Sequence, residues 1–132
     1  IFGGEENGGM IFPHFQHCRD AGMTAAAMLE LLVKSGKSLG DLLAELPQYH
    51  TIKRKIEVPQ SKVEEIMKNY ADACKDKRTD LQDGVKVIET SGWTLVRPSG
   101  TEPIIRVYAE SKDEEEAKRL SEEALALIKK YI

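Results

Sequence analysis

Apolar positions change their period several times along the chain, and each change marks an element. Between about Asp20 and Lys34, Met23, Ala26, Leu29, Leu32 and Val33 recur at helical spacing, and Ser35-Gly36 follows as a stop. Ser38 precedes Leu39, Leu42, Leu43 and Leu46, so its hydroxyl is placed to cap a second short helix that Pro47 ends. From 50 to 58 the period shortens. Ile52, Ile56 and Val58 fall on one side of a strand and Thr51, Lys53, Lys55 and Glu57 on the other, with Pro59 closing it. Ser61 and Glu64 form an S-x-x-E capping box ahead of Val63, Ile66, Met67, Tyr70 and Cys74, a stripe at helical spacing. After the polar stretch 75–83 come three strand-like segments, 85–89, 93–97 and 104–110, with Ser91-Gly92 turning between the first two. A second box, Ser111 and Glu114, opens a last helix that turns Ala117, Leu120, Ala124, Leu127, Ile128 and Tyr131 inward.

Residues 48–132 thus read β-α-β-β-β-α. The simplest α+β arrangement of that order is a four-stranded, mostly antiparallel sheet with two helices on one face. Residues 1–47 supply two helices and a glycine-rich loop, GGEENGGMIFP, flanked by short apolar strands. So few elements cannot cover so much Leu, Met and Ala surface. They are expected to be the carboxy-terminal end of an α/β domain whose earlier part is missing, an expectation that the absence of an initiator Met before Ile1 also prompts.

Composition narrows the functional classes. The chain is 41% hydrophobic and 31% charged, which suits a globular protein and not a disordered one. A formal net charge of -3 offers no general attraction for nucleic acid or acidic membrane, so neither is expected as a partner, and any anion must be caught locally. No apolar run approaches the roughly 20 residues that span a bilayer. Cys18 and Cys74 lie far apart, outside any Cys-x-x-Cys pair, and are expected as buried free thiols in a reducing cytoplasm. His14, His17 and His50 show no ligand spacing, and Asp80 and Asp83 flank a turn without a third partner. A solvated loop, not a metal site, is the expectation there. Lys53-Arg54-Lys55 either steers anions or protects an exposed strand edge.

The informative segment is Arg97-Pro98-Ser99-Gly100-Thr101-Glu102-Pro103, between two strands. Arg97 offers a planar cationic fork that matches two phosphate oxygens. Ser99 and Thr101 add hydroxyl donors on either side of Gly100, which is expected to allow a backbone shape closed to other residues. Successive amides of such a turn can form an anion nest, and the two prolines limit the entropy lost on ordering. The following helix and the G-x-x-x-x-G-K pattern of a P-loop are both absent.

The stretch DGVKVIETSGWTLVRPSGTEPIIRVYAES resembles the fourth domain of the α-D-phosphohexomutases, and RPSGTEP resembles their substrate-phosphate loop. GGEENGGMIFP is similar to the sugar-recognition loop of their third domain, often G-E-x-S-G-H. The resemblance covers essentially the whole chain and implies two parts. Residues 1–47 would end the third, sugar-binding domain, and 48–132 would form the fourth, phosphate-binding one. It implies that Arg97, Ser99, Gly100 and Thr101 bind substrate phosphate, and that Glu5 and Asn7 bind sugar hydroxyls. Glu6 falls at a variable position and is expected in solvent; Gly9 replaces a frequent histidine and leaves hexose preference open. The implied parent is an isomerase that interconverts hexose 1- and 6-phosphates through a bisphosphorylated sugar. Its phosphoserine and Mg2+ would reside in missing amino-terminal domains of the same parent chain. No T-A-S-H-N-P-like or D-G-D-x-D-R-like segment occurs here, so no catalytic residue, bound cofactor or metal site is expected in this chain, and alone it should be inactive. A second reading of the same residues is a standalone anion-binding or regulatory module.

Overall fold

The computed structural model describes residues 2–5 and 7–132. Glu6, expected in solvent, lies outside the described residues. The chain forms two compact units that divide between Pro47 and Gln48.

The first unit opens with a two-residue strand pair, β1 (Gly3–Gly4) and β2 (Met10–Ile11), which holds the glycine-rich loop. Helix α1 (Ala21–Ser35) is capped by Asp20, whose carboxylate accepts from the Met23 amide, and ends at Gly36. Helix α2 (Leu39–Ala44) carries a reciprocal capping box: Ser38 accepts from the Asp41 amide and Asp41 accepts back from the Ser38 amide. The apolar stripes are present but uncovered, with Leu29 and Val33 63% and 82% exposed, and no fully buried residue belongs to this unit among those described.

The second unit owns the core. Strand β3 (His50–Glu57) leads through a 3-10 turn (Gln60–Lys62) into α3 (Val63–Ala73). Then come β4 (Thr79–Asp80), β5 (Val85–Ile88), β6 (Gly92–Pro98), β7 (Ile104–Ser111) and α4 (Glu114–Lys129). The sheet order is β3-β7-β6-β5-β4, with every neighbouring pair antiparallel. One face is packed. Val85, Val87, Val96, Ile105 and Val107 alternate onto it and meet Ile66, Tyr70, Ala124 and Ile128 of the two helices. Each such aliphatic side chain contributes on the order of 1.5–3 kcal/mol by leaving water.

Three sequence-based expectations need correction. The sheet has five strands, not four: β4 emerges inside the polar stretch 75–83 and pairs Thr79 with Val87 and Asp80 with Lys86. Two residues are too few to display an alternation. Neither capping box of this unit forms. Ser61 is absorbed into the 3-10 turn and α3 starts without a side-chain cap. Asp113 caps α4 in place of Ser111, because Ser111 still belongs to β7, where its buried hydroxyl donates to the Ser91 carbonyl at 2.6 Å. Cys74 is buried as expected, whereas Cys18 is exposed, standing ahead of α1 in a unit with no buried residue among those described. Among the described residues no helix is long and apolar enough to cross a membrane.

Candidate functional site

The loop 99–103 joins β6 to β7 and is held at its base. The Ser99 amide donates to the Ile104 carbonyl at 3.0 Å, and the Val58 amide, just past β3, donates to the Pro103 carbonyl at 3.0 Å. The sheet register then places Arg97 opposite Arg106, and Arg106 opposite Lys55. Three cations therefore occupy one row across the face that the helices leave open. Like charges directly opposite in a sheet disfavour it, so the row needs partners.

It has them. Asp83 Oδ2 lies 2.6 Å from Arg97 Nη1, and Glu102 Oε2 lies 3.1 Å from Arg106 Nη2. Tyr108 follows Arg106 on the same face, beside both guanidinium groups. These contacts raise the pKa of both arginines, Arg97 chiefly through Asp83 and Arg106 chiefly through Tyr108. Both ion pairs are exposed and screened by solvent, so an incoming anion can share or displace the carboxylates. Gly84 makes the Asp83 contact possible. Its φ is +82°, and a Cβ there would fall 2.3 Å from the Val96 carbonyl oxygen and 2.7 Å from Arg97 Cβ.

The loop's own donors differ in part from expectation. Thr101 donates its amide to Ser99 Oγ at 3.4 Å, leaving the Ser99 hydroxyl proton free to turn toward a ligand. With the Ser99 and Thr101 amides engaged, the expected run of free amides breaks up, leaving those of Gly100 and Glu102, which donate to no partner among the described residues. Gly100 has no positive φ, so it does not supply a special backbone shape. Nothing lies within 4 Å of where its Cβ would be, and an anion can approach the backbone there.

The glycine-rich loop is a tight turn. The Gly8 amide donates to the Glu5 carbonyl at 3.0 Å with Gly8 at φ +86°, and the Glu5 amide donates to the Gly9 carbonyl at 2.8 Å. Asn7 Oδ1 accepts from the Gly9 amide at 3.0 Å, so its NH2 group is the part left for a ligand. The Glu5 carboxylate meets Arg19 Nη1 at 2.9 Å, with both side chains about half exposed.

Arg97, Ser99, Gly100 and Thr101 are thus gathered at one end of the sheet, and Glu5 and Asn7 share one turn of the first unit. Sequence reasoning missed Arg106 and Tyr108 on the sheet, and Arg19 beside Glu5. Arg106 was within reach: counting outward from the loop pairs 98 with 105 and 97 with 106. Asp83 was read as part of a solvated loop, and its side chain is 70% exposed, but its pairing with Arg97 went unread. Among the described residues no group of three or more His, Cys, Asp or Glu side chains could hold a metal. Asp80 accepts from the Gln82 amide and Asp83 from Arg97.

Residues 54–127 match the family described as the phosphoglucomutase/phosphomannomutase C-terminal domain, and residues 1–50 match its alpha/beta/alpha domain III. A phosphoglucomutase/phosphomannomutase of Thermococcus kodakarensis is 44% identical over 98% of this chain and 29% of its own length. A phosphoglucosamine/phosphogalactosamine mutase of Sulfurisphaera tokodaii is 42% identical over 97% of this chain and 29% of its own. In a crystal structure of a phosphoglucomutase/phosphomannomutase family protein from Burkholderia thailandensis, 28% of that chain superposes on 97% of this one with a TM-score of 0.74; at 24% identity the likeness is one of fold. The chain spans under a third of these relatives, and with both family regions matched in order along it, it belongs to the phosphoglucomutase/phosphomannomutase family.

Proposed function

We propose that this chain is the carboxy-terminal, substrate-holding part of a cytoplasmic phosphohexomutase that interconverts hexose 1- and 6-phosphates. The observation that carries the reading is the pairing of Arg97 with Arg106 at the mouth of the RPSGTEP loop. Two permanently charged forks, the Ser99 and Thr101 hydroxyls and the Gly100 amide converge on one end of the sheet, an arrangement suited to a dianionic phosphate. In the proposed reaction this loop holds whichever phosphate is not reacting. Its contribution is position and electrostatics, the usual protein share in phosphoryl transfer. The first unit ends the sugar-binding domain, where Glu5 accepts from sugar hydroxyls and the Asn7 amide donates to them. The phosphoserine and the magnesium ion, which balances phosphate charge when bound, belong to other parts of the enzyme.

Arg97→Ala in the full-length enzyme tests this. Every substrate carries the phosphate, so efficiency should fall for all hexose phosphates alike. Losing one charge-assisted bidentate contact corresponds to about 2–4 kcal/mol, or roughly 30- to 1000-fold in kcat/KM. Arg97→Lys should be nearly as poor, since a point charge cannot reproduce the fork. An Arg97→Ala effect within about threefold for every sugar would refute the loop assignment.

A further inference from the structure

The surroundings of Glu5 carry an inference that rests on the sugar-loop reading above and goes beyond it. Gly9 occupies the position where the resembling loops often have histidine. Its backbone does not require glycine, because the described positive-φ glycines are Gly8, Gly36 and Gly84. The space does. A Cβ on Gly9 would fall 2.3 Å from Arg19 Cδ and 3.1 Å from Arg19 Cγ. The Arg19 stem therefore fills the volume that a side chain at position 9 would take. Its guanidinium reaches Glu5 Oε2 at 2.9 Å, and a backbone bridge between Ile11 and Arg19 fixes where the stem starts. Asn7, Gly8, Gly9, Arg19, Thr24 and Met28 line one open concavity.

We propose that Arg19 is a specificity-determining residue of the sugar loop, supplying from a distant position the polar contact that position 9 lacks. A guanidinium only donates, so beside Glu5 it presents donors to the oxygens of a sugar whose hydroxyls Glu5 accepts from. It also neutralises Glu5. The loop as built thus favours neutral hydroxyls over an ammonium, and without Arg19 the uncompensated Glu5 carboxylate would favour an amino sugar.

The test measures kcat/KM of the full-length enzyme for a 2-hydroxy hexose phosphate and for its 2-amino counterpart. The variants are Arg19→Ala, Arg19→Lys, Gly9→Ala, the Gly9→Ala/Arg19→Ala pair, and Glu5→Ala. Thermal unfolding serves as the check on folding, which an exposed Arg19 should leave nearly unchanged. Arg19→Ala should lower efficiency for the 2-hydroxy sugar roughly 10- to 100-fold and shift the ratio toward the amino sugar by about fivefold or more. Gly9→Ala should reproduce much of this by displacing the Arg19 stem, and the pair should be no worse than Arg19→Ala alone. Arg19→Lys, which keeps the charge, should retain the ranking while losing rate. If Glu5→Ala is damaging but Arg19→Ala stays within about threefold, Arg19 has no such role and the sugar-loop reading survives. Should Arg19→Ala slow both sugars equally, or Gly9→Ala change nothing, Arg19 merely supports the loop and the inference is overturned. Silence of Glu5→Ala and Arg19→Ala together would defeat the sugar-loop reading itself.

Discussion

Replacing Gly84 with alanine should damage the second unit far more than its exposed turn would imply. At φ +82° a side chain costs about 1–2 kcal/mol in backbone strain. The new Cβ would also fall 2.3 Å from the Val96 carbonyl oxygen and 2.7 Å from Arg97 Cβ. Val96 is fully buried in the middle of the sheet and cannot retreat, so overpacking adds about 1–3 kcal/mol. The sum, roughly 2–5 kcal/mol, corresponds to a drop of roughly 10–30 °C in Tm for a unit of this size. Trp93, the single tryptophan, lies in β6 with Val96, so its fluorescence reports on this unit without interference from the first. Gly100→Ala is the control: with no positive φ and nothing within 4 Å of the added methyl, it should change stability by less than about 0.5 kcal/mol. Its phosphate binding should still suffer, because the methyl occupies the anion's approach. A Gly84→Ala transition within about 3 °C of the parent chain would show that the Gly84 turn does not bear on β6 as argued.

Other outcomes follow from the same geometry. Asp83→Asn removes the carboxylate that competes for Arg97, so inorganic phosphate should bind the chain about two- to fivefold more tightly by NMR titration; unchanged or weaker binding would mean that Asp83 orients Arg97 and does not compete for it. Hydrogen bonds from Arg119 and then Ser91 hold the Glu116 carboxyl down at about 2 against an ordinary 4.5. Its folded pKa being the lower, the stability it adds is present above about 4.5 and is lost as pH falls from there toward about 2. Glu116→Gln should flatten the acid limb of a stability–pH curve followed by Trp93, and an unaltered limb would exclude the contribution. Cys18 should react with a maleimide in the folded chain, whereas Cys74, buried and with its thiol pKa pushed up by desolvation, should react only on unfolding; equal rates would contradict its burial.

What the sequence disclosed and what it hid divide along a physical line. Strands β5, β6 and β7 were legible because each alternates over four or more residues with one face in the core, β3 more loosely through Ile52 and Ile56, and α3 and α4 because their stripes face a covered sheet. β4 was not, since two residues carry no period. The failed capping boxes show the limit of a local motif: Ser111 matches the box, but pairing within β7 holds it in the strand and passes the cap to Asp113. The candidate site divides the same way. RPSGTEP is contiguous and could be read as chemistry, and so could Glu5 and Asn7. Asp83, Arg106, Tyr108 and Arg19 act through space, and their partners lie 14 positions from Asp83 and Arg19 in the chain.

The row Lys55–Arg106–Arg97 shows why such residues matter to the reading. Three adjacent cations on an open sheet face work against the sheet that holds them. Asp83 and Glu102 relieve part of that repulsion, and Tyr108 stands beside both arginines. Such an arrangement has a reason if an anion with more negative charge than either carboxylate completes it. A dianionic phosphate bridging Arg97 and Arg106 would relieve the repulsion more fully than two separate, exposed ion pairs can. The loop would then be the mouth of the site, and the sheet row behind it the source of most of its grip.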